Sequence, residues 1–184
     1  MKHLLILLLA VGVVTSNAQD ITLPTDENKK ITYTGVIELS GATPDILRAK
    51  AHTFLKSEKN VSGITETDGV ITASGYDDFI GGRNKQKMKM SFDLKLEFKE
   101  GRYKYTITRI QYTPYPDANN PTQITVNAET WYDEYRLLVG KGKETSTNAK
   151  MYYQIFMTTD RDITTFIDKM KAGMQQEAKT GDDW

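Results

Sequence analysis

Lys87-Met88-Lys89-Met90-Ser91-Phe92-Asp93-Leu94-Lys95-Leu96-Glu97-Phe98-Lys99 is the stretch whose reading decides the fold. Met88, Met90, Phe92, Leu94, Leu96 and Phe98 alternate without a miss against polar residues. Successive side chains of a strand point to opposite faces, so a period of two predicts a long strand with one buried and one solvated face. That pattern belongs to an antiparallel sheet, because strands buried on both faces read as unbroken apolar runs.

On the C-terminal side, Glu100-Gly101 turns the chain into a second strand, Arg102 to Tyr112. Tyr103, Tyr105 and Ile107 share its inner face, and Arg102, Lys104 and Thr106 its outer one. Ile110 and Tyr112 then fall on the opposite parity. A β-bulge near Thr108 or Arg109 restores both to the buried face, since one extra residue shifts the phase of a strand by one. On the N-terminal side, Val61 to Thr67 and Val70 to Tyr76 read as short strands joined by Asp68-Gly69, a pair that tolerates the positive φ of a tight hairpin. Asp77-Asp78, ahead of Gly81-Gly82, reads as hairpin-loop polarity.

Ile31, Tyr33, Gly35, Ile37 and Leu39 predict a first strand. Thr43 as N-cap with Pro44 at the first helical position predicts a helix to about Glu58, its buried stripe formed by Leu47, Ala51, Phe54 and Leu55. Residues 113–127 contain three prolines and Asn119-Asn120 and read as a long loop. Ala128, Trp131, Tyr132, Tyr135, Leu138 and Val139 recur at helical spacing up to Gly140. Asn148 to Met157 reads as a further short helix. The last helix carries Ile163, Phe166, Ile167, Met170 and Met174 on one stripe, with Thr159 and Asp162 as a capping box. The expectation is an α+β domain: an antiparallel sheet of about five strands in the order β-α-β-β-β-β, then helices, with helices on one face.

Lys2, the apolar run Leu4 to Val14 and Ser16-Asn17-Ala18 form the three parts of a signal peptide, with cleavage expected before Gln19. The run falls well short of the roughly 20 residues that span a bilayer as a helix. Residues 19–184 suit a single domain: an extended leader at 19–30, a core at 31–112, the loop at 113–127 and a helical region at 128–184. The mature chain would carry 23 basic and 24 acidic side chains, a balance that favours neither nucleic acid nor an anionic membrane surface. The chain has no cysteine, which excludes disulfides, thiolate metal ligands, a Cys nucleophile and a lipid anchor on a mature N-terminal cysteine. A periplasmic or secreted protein without a stable membrane anchor is expected.

Leu23-Pro24-Thr25-Asp26-Glu27, running into Lys30-Ile31-Thr32-Tyr33-Thr34-Gly35-Val36-Ile37-Glu38, resembles the opening of a Bacteroidota family of exported domains of unknown function. Gly101-Arg102-Tyr103-Lys104-Tyr105-Thr106-Ile107-Thr108 resembles its later signature. The resemblance spans roughly Leu23 to Tyr112 and implies a TATA-binding-protein-like (TBP-like) fold. It implies no activity and carries over no functional residue.

Catalytic groupings are sparse. His52 is the single histidine of the mature chain, on the flank of the apolar stripe of its helix, where a solvated or surface-paired role is expected and a general base lacks a lined cleft. Glu129 and Asp133 share a helix face four residues apart, with Glu134 beside them. Together with Asp77 they are the candidates for an envelope hydrolase working through a carboxylate pair, the alternative function. Arg83, Lys85, Lys87, Lys89, Lys95, Lys99, Arg102 and Lys104 form a basic concentration interleaved with tyrosines. Asp93, Glu97 and Glu100 interrupt it, and the export signal removes the chain from the genome, so no nucleic-acid partner is expected. No phosphate-binding glycine motif and no HExxH occurs, and no cofactor is expected. Asn60-Val61-Ser62 matches a glycosylation acceptor, which carries no information if the source is bacterial, as the resemblance implies.

The leading expectation is a non-catalytic envelope module that binds a protein, a peptide or a small apolar ligand. Its candidate contact residues are Tyr112, Tyr115, Trp131 and Tyr135, from the aromatic helix and the Pro/Tyr-rich segment before it. The export reading has a direct check: intact-mass measurement of the protein recovered outside the cytoplasm should give a chain beginning at Gln19. Retention of residues 1–18 in that fraction would refute it.

Overall fold

The computed structural model describes residues 20–82, 85–116, 121 and 123–176. Residues 1–18, read above as a signal segment, and Arg83, Asn119-Asn120 and Trp184 lie outside the described residues. The elements are β1 (Tyr33–Glu38), α1 (Pro44–Ser57), β2 (Val61–Thr67), β3 (Val70–Gly81), β4 (Gln86–Lys99), β5 (Arg102–Pro114), β6 (Val126–Asn127), α2 (Ala128–Gly140) and α3 (Thr147–Gln175). The sheet runs β1-β5-β4-β3-β2, and the short β6 also pairs with β5. Every pairing is antiparallel. The α+β architecture expected from the sequence is the one observed.

β4 forms the centre. Met88, Met90, Phe92, Leu94 and Leu96 are each at most 5% exposed, and they face the helices. On β5 the register jumps between Ser91↔Gln111 and Asp93↔Thr108, so Phe92 stands opposite two residues. Arg109 takes the extra place with φ of 52°. The bulge returns Ile110 and Tyr112 to the side of Tyr103, Tyr105 and Ile107, and all five are buried. This is the phase correction the alternation demanded.

Two aromatic rings lie across glycines of neighbouring strands. A Cβ on Gly75 would sit 2.2 Å from the Phe92 ring, and Gly75 and Phe92 are register partners. A Cβ on Gly35 would sit 2.6 Å from the Tyr105 hydroxyl, again across a register pair. The missing side chain is what lets each ring lie flat against the sheet. At the helix layer Gly173 of α3 serves the same purpose for Phe54 of α1, where a Cβ would come within 2.8 Å of the ring.

α1 starts as expected: Pro44 follows Thr43, whose hydroxyl accepts from the Ile46 N–H, and Leu47, Ala51, Phe54 and Leu55 are buried. Five expectations change. β3 does not stop at Tyr76 but runs to Gly81, with Asp77 to Gly81 paired against Met90 to Gln86. Asp77-Asp78 is therefore strand and not loop: the long β4 offers a full ladder, and Phe79 supplies the buried residue that keeps the alternation going. The leader is no mere extension. Ile21 and Leu23 are buried, the Leu23 N–H donates to the Tyr132 hydroxyl at 3.1 Å, and Asp26 closes a turn by accepting from the N–H groups of Asn28 and Lys30.

The stretch 113–127 is shorter as a loop than expected, because β5 continues to Pro114 and Val126–Asn127 adds β6. The C-terminal region holds one 29-residue helix where two were expected. Thr159 is no cap. It is fully buried, and its hydroxyl bonds the Ile155 carbonyl one turn back and the Tyr112 hydroxyl across the core. The true N-cap is Ser146, whose Oγ accepts from the Ala149 N–H. Tyr152, Ile155 and Phe156 continue into Ile163, Ile167, Met170 and Met174 as one buried stripe, with no proline or glycine between Tyr152 and Met170.

Leu94→Asp places an unpaired charge in the buried face of the sheet and should unfold or aggregate the domain, since such burial costs several kcal/mol. Lys95→Glu, one residue on and exposed, should cost about 0.5 kcal/mol or less. Gly75→Ala should cost about 1–3 kcal/mol through overpacking against Phe92. Urea titration of the three variants checks the register, and equal effects at positions 94 and 95 would contradict it.

Candidate functional site

β5, α2 and α3 meet in an aromatic cluster. Tyr112 stacks on Trp131 with centroids 5.2 Å apart and planes 14° apart, and Phe79 meets Tyr112 edge-on. Tyr132, Tyr135 and Tyr152 surround Phe156. The Tyr112 hydroxyl lies 2.7 Å from Thr159 Oγ1. Burial pushes the Tyr112 phenol above its ordinary range, and Tyr135 rises for the same reason. Tyr135 also receives the Ile21 N–H and reaches Asp20.

These distances sort the four aromatic residues read as a contact surface. Tyr112 is fully buried and Tyr135 is 1% exposed, so both are core and offer nothing to a partner. Their helical and strand spacing is what packing requires, and packing takes them. Trp131 is half-buried, one face covered by Tyr112 and an edge by Tyr152. Tyr115 alone stands on the opposite side of the sheet.

There Tyr115 joins a group the sequence reading had dispersed. Its hydroxyl donates to Asp78 Oδ1 at 2.9 Å, the Lys87 ammonium bridges to Asp78 Oδ2 at 3.0 Å, and the same ammonium sits 4.7 Å from the centre of the Tyr115 ring. Lys89 covers the Tyr76 ring at 4.5 Å. Burial pushes the Asp78 carboxyl up, but the Lys87 and Tyr115 bonds outweigh it and hold the group below the usual carboxylate range. Tyr115 rises in turn, chiefly through its bond to Asp78. Tyr76 and Asp78 were legible as outward residues had Phe79 been joined to the alternation of Ile71 and Ala73.

The rest of this solvent face is polar, and no helix among the described residues covers it. Arg109 Nε bonds Asp93 at 2.8 Å, Lys95 bonds Glu97 at 3.0 Å, and Arg102 lies 3.9 Å from Glu38. Thr34 and Thr106 meet across β1 and β5, and Thr65 and Thr72 across β2 and β3. Of the basic concentration read from the sequence, Lys95 pairs with the interrupting Glu97, Lys87 with Asp78 and Arg102 with Glu38. At the end of the sheet near the Asp68-Gly69 and Glu100-Gly101 turns, a trough of about 480 Å³ is lined by Val36, Val70, Glu97, Phe98 and Lys104 among others.

The hydrolase candidates are not brought together. Glu129 accepts the Ile31 N–H at 3.1 Å, and Glu134 accepts the Tyr152 hydroxyl. Asp133 is exposed on α2. Asp77 faces a separate cavity of about 90 Å³ with Glu58 and Asp162. His52 pairs with Glu66 at 2.7 Å, which also holds Arg48, so it ties α1 to β2; its Nδ1 is buried without a partner. Among the described residues no group of three or more His, Asp or Glu is placed to hold a metal ion, and no helix is long and apolar enough to cross a membrane.

A six-stranded antiparallel sheet with helices on one face and an open second face is the shape to compare. Residues 33–113 match the family model described as a domain of unknown function (DUF4468) with TBP-like fold. The resemblance carried by residues 30–38 and 101–108 is borne out. A crystal structure of a DUF4468 family protein from Bacteroides ovatus is similar over 89% of this chain and 94% of its own, with a TM-score of 0.58 at 14% identity. A TBP-like protein from Parabacteroides distasonis is similar over 84% of this chain and 98% of its own, with a TM-score of 0.54 at 15% identity. At such identities the likeness is one of fold. Comparison with curated proteins finds no significant match.

The placement of Trp131 is open to measurement. In a Trp184→Phe variant, which leaves Trp131 as the only tryptophan, emission should be blue-shifted and only partly quenched by acrylamide, as a ring stacked on Tyr112 requires. Red, freely quenched emission from the folded protein would contradict the stack.

Proposed function

We propose that this DUF4468-like domain is a non-catalytic module of the cell envelope that binds a protein or peptide partner on the side of the sheet away from its helices. One observation carries the reading: the helix-side face is filled by aromatic and aliphatic packing, while the other face spans the sheet without a covering element among the described residues. An antiparallel sheet needs only one covered face, so the other is free to receive a partner at no cost to the core. The carboxylates of α2 support the same reading, because Glu129 and Glu134 are each engaged in a structural hydrogen bond, and Asp77, which shares a cavity with Glu58 and Asp162, lines a different cavity from Glu129.

A small apolar ligand fits less well, as the open face is built from threonines and paired charges and its apolar members, Val36 and Ile80, stand apart. Electrostatic pairs on such a face set partner choice and encounter rate more than affinity, and the anchor residues are Tyr76 and Tyr115 with their lysines.

The test compares affinity purification from envelope extract with residues 19–184 and with a Tyr76→Ala, Tyr115→Ala double variant as bait. The same specific partner should be held by the first and lost or much reduced with the second, the Tm of the two baits differing by only a few degrees. Retention by both would refute the face, and turnover of envelope glycan or peptide by the purified protein, abolished by Glu129→Gln or Asp77→Asn, would refute the non-catalytic reading.

A further inference from the structure

β2 covers only half of β3. Its pairing ends at Val61↔Gly75, and among the described residues nothing pairs with the far side of Asp77 to Gly81, although β4 continues beside them to Gln86. The direction of the backbone groups follows from three bonds. The Tyr76 N–H donates to the Asn60 carbonyl on the β2 side, and the Asp78 N–H turns the same way, where the Asp77 carboxylate takes it at 2.8 Å. Lys87, the register partner of Ile80, offers its carbonyl to Tyr115 on the β5 side, so Lys87 and Ile80 are a non-hydrogen-bonded pair. The N–H and C=O of Ile80 therefore point outward along the edge, as those of Tyr76 and Asp78 do. Ile80 is also 64% exposed, more than any other large apolar side chain described.

Natural sheets guard such edges, because unpaired N–H and C=O groups are a template for another strand. Here the edge lies over a cavity of about 90 Å³ between the sheet and α3. Met90, Phe92 and Phe166 give it apolar walls, and Glu58, Asp77 and Asp162 stand with Lys169 at its rim. Arg161, on the same turn of α3, bonds Asp162 at 2.7 Å and also lies within electrostatic reach of Asp77, so the rim is acidic overall, with Glu58 in no described ion pair. An apolar wall under a carboxylate rim suits a lysine or arginine, whose methylene stem packs while the cation stays at the rim.

We propose that Asp77–Gly81 is a strand-addition site for an extended peptide segment of a partner protein, which continues the line of β2 and places one lysine or arginine side chain in the cavity beside Asp77. Backbone bonds to Asp78 and Ile80 hold the segment, and the cavity selects the side chain. The proposal rests on the reading of the domain as a binding module and gives it a partner chemistry.

The probes are two synthetic heptapeptides, Thr-Val-Thr-Lys-Thr-Val-Thr and the same sequence with Glu at its centre, titrated into 15N-labelled residues 19–184. The lysine peptide should bind about tenfold or more tightly than the glutamate peptide, with amide shifts concentrated on residues 77–81 and on 162–169 of α3. Ile80→Pro removes an edge N–H that no strand uses, so the fold should survive while binding falls about tenfold. Asp77→Asn should abolish the preference for lysine over glutamate, and it decides the matter should the proline variant fail to fold. Shifts centred on the Thr106 and Lys95 rows of the open face would overturn the edge site and leave the module reading standing. No binding of either peptide at about 1 mM, or binding indifferent to both substitutions, would overturn it as well.

Discussion

The bulge at Arg109 is the constraint on which the rest of the structure depends. Without the extra residue, Ile110 and Tyr112 would point to solvent, and α2 and α3 would lose their ring contacts with β5. With it, Tyr112 reaches Trp131 of α2, Thr159 of α3 and Phe79 of β3 at once. A fully buried phenol needs a partner for its hydroxyl, and Thr159 supplies one from the middle of a helix that would otherwise carry a valine-sized apolar residue there. The strain of a positive φ at a non-glycine residue is offset by that packing and by the bond from the Arg109 side chain to Asp93.

The same bulge sets the division of labour between the two faces. On the helix side, glycines at 35, 75 and 173 admit aromatic rings closely, and the layer is dense. A remaining irregularity is the Tyr103 hydroxyl, buried without a partner, where burial pushes the phenol up to about 12. Tyr33 is raised as well, by burial first and then by Asp160, whose carboxylate accepts a hydrogen bond from the Tyr33 hydroxyl at 3.0 Å. For phenols raised in the folded state the stability they lend is complete below the ordinary value near 10, and it drains away as pH climbs toward their folded values. The helix layer is therefore a neutral-form tyrosine core, and it tolerates no ionised phenol.

On the solvent side, charge is arranged in pairs along the strands, and β3 outruns its neighbour. Strand length explains the second feature. β3 and β4 are 12 and 14 residues long, while β2 has 7 and leaves the sheet at Asn60 to join α1. The half-ladder beside Asp77 to Gly81 is a consequence of that short strand, and it brings together an edge, an exposed Ile80 and a cavity that no local stretch of sequence contains.

Much of this was determined by sequence alone. Strict alternation from Met88 to Phe98 dictates a one-sided strand, the parity slip after Ile107 dictates a bulge, Thr43-Pro44 dictates a helix start, and Leu23 to Glu38 with Gly101 to Thr108 carries the family resemblance, because each of these signals lies in neighbouring residues. Tertiary structure decided what needed a distant partner. Asp77-Asp78 became strand because β4 offered a ladder, Thr159 became a core group because Tyr112 required its hydroxyl, and Ile21 and Leu23 became buried because α2 presented Tyr132 and Tyr135 to them. Tyr112 and Tyr135 were read as contact residues for the same reason: periodicity tells that an aromatic stripe is buried or bound, and only the packing of three other elements shows that these two are already covered.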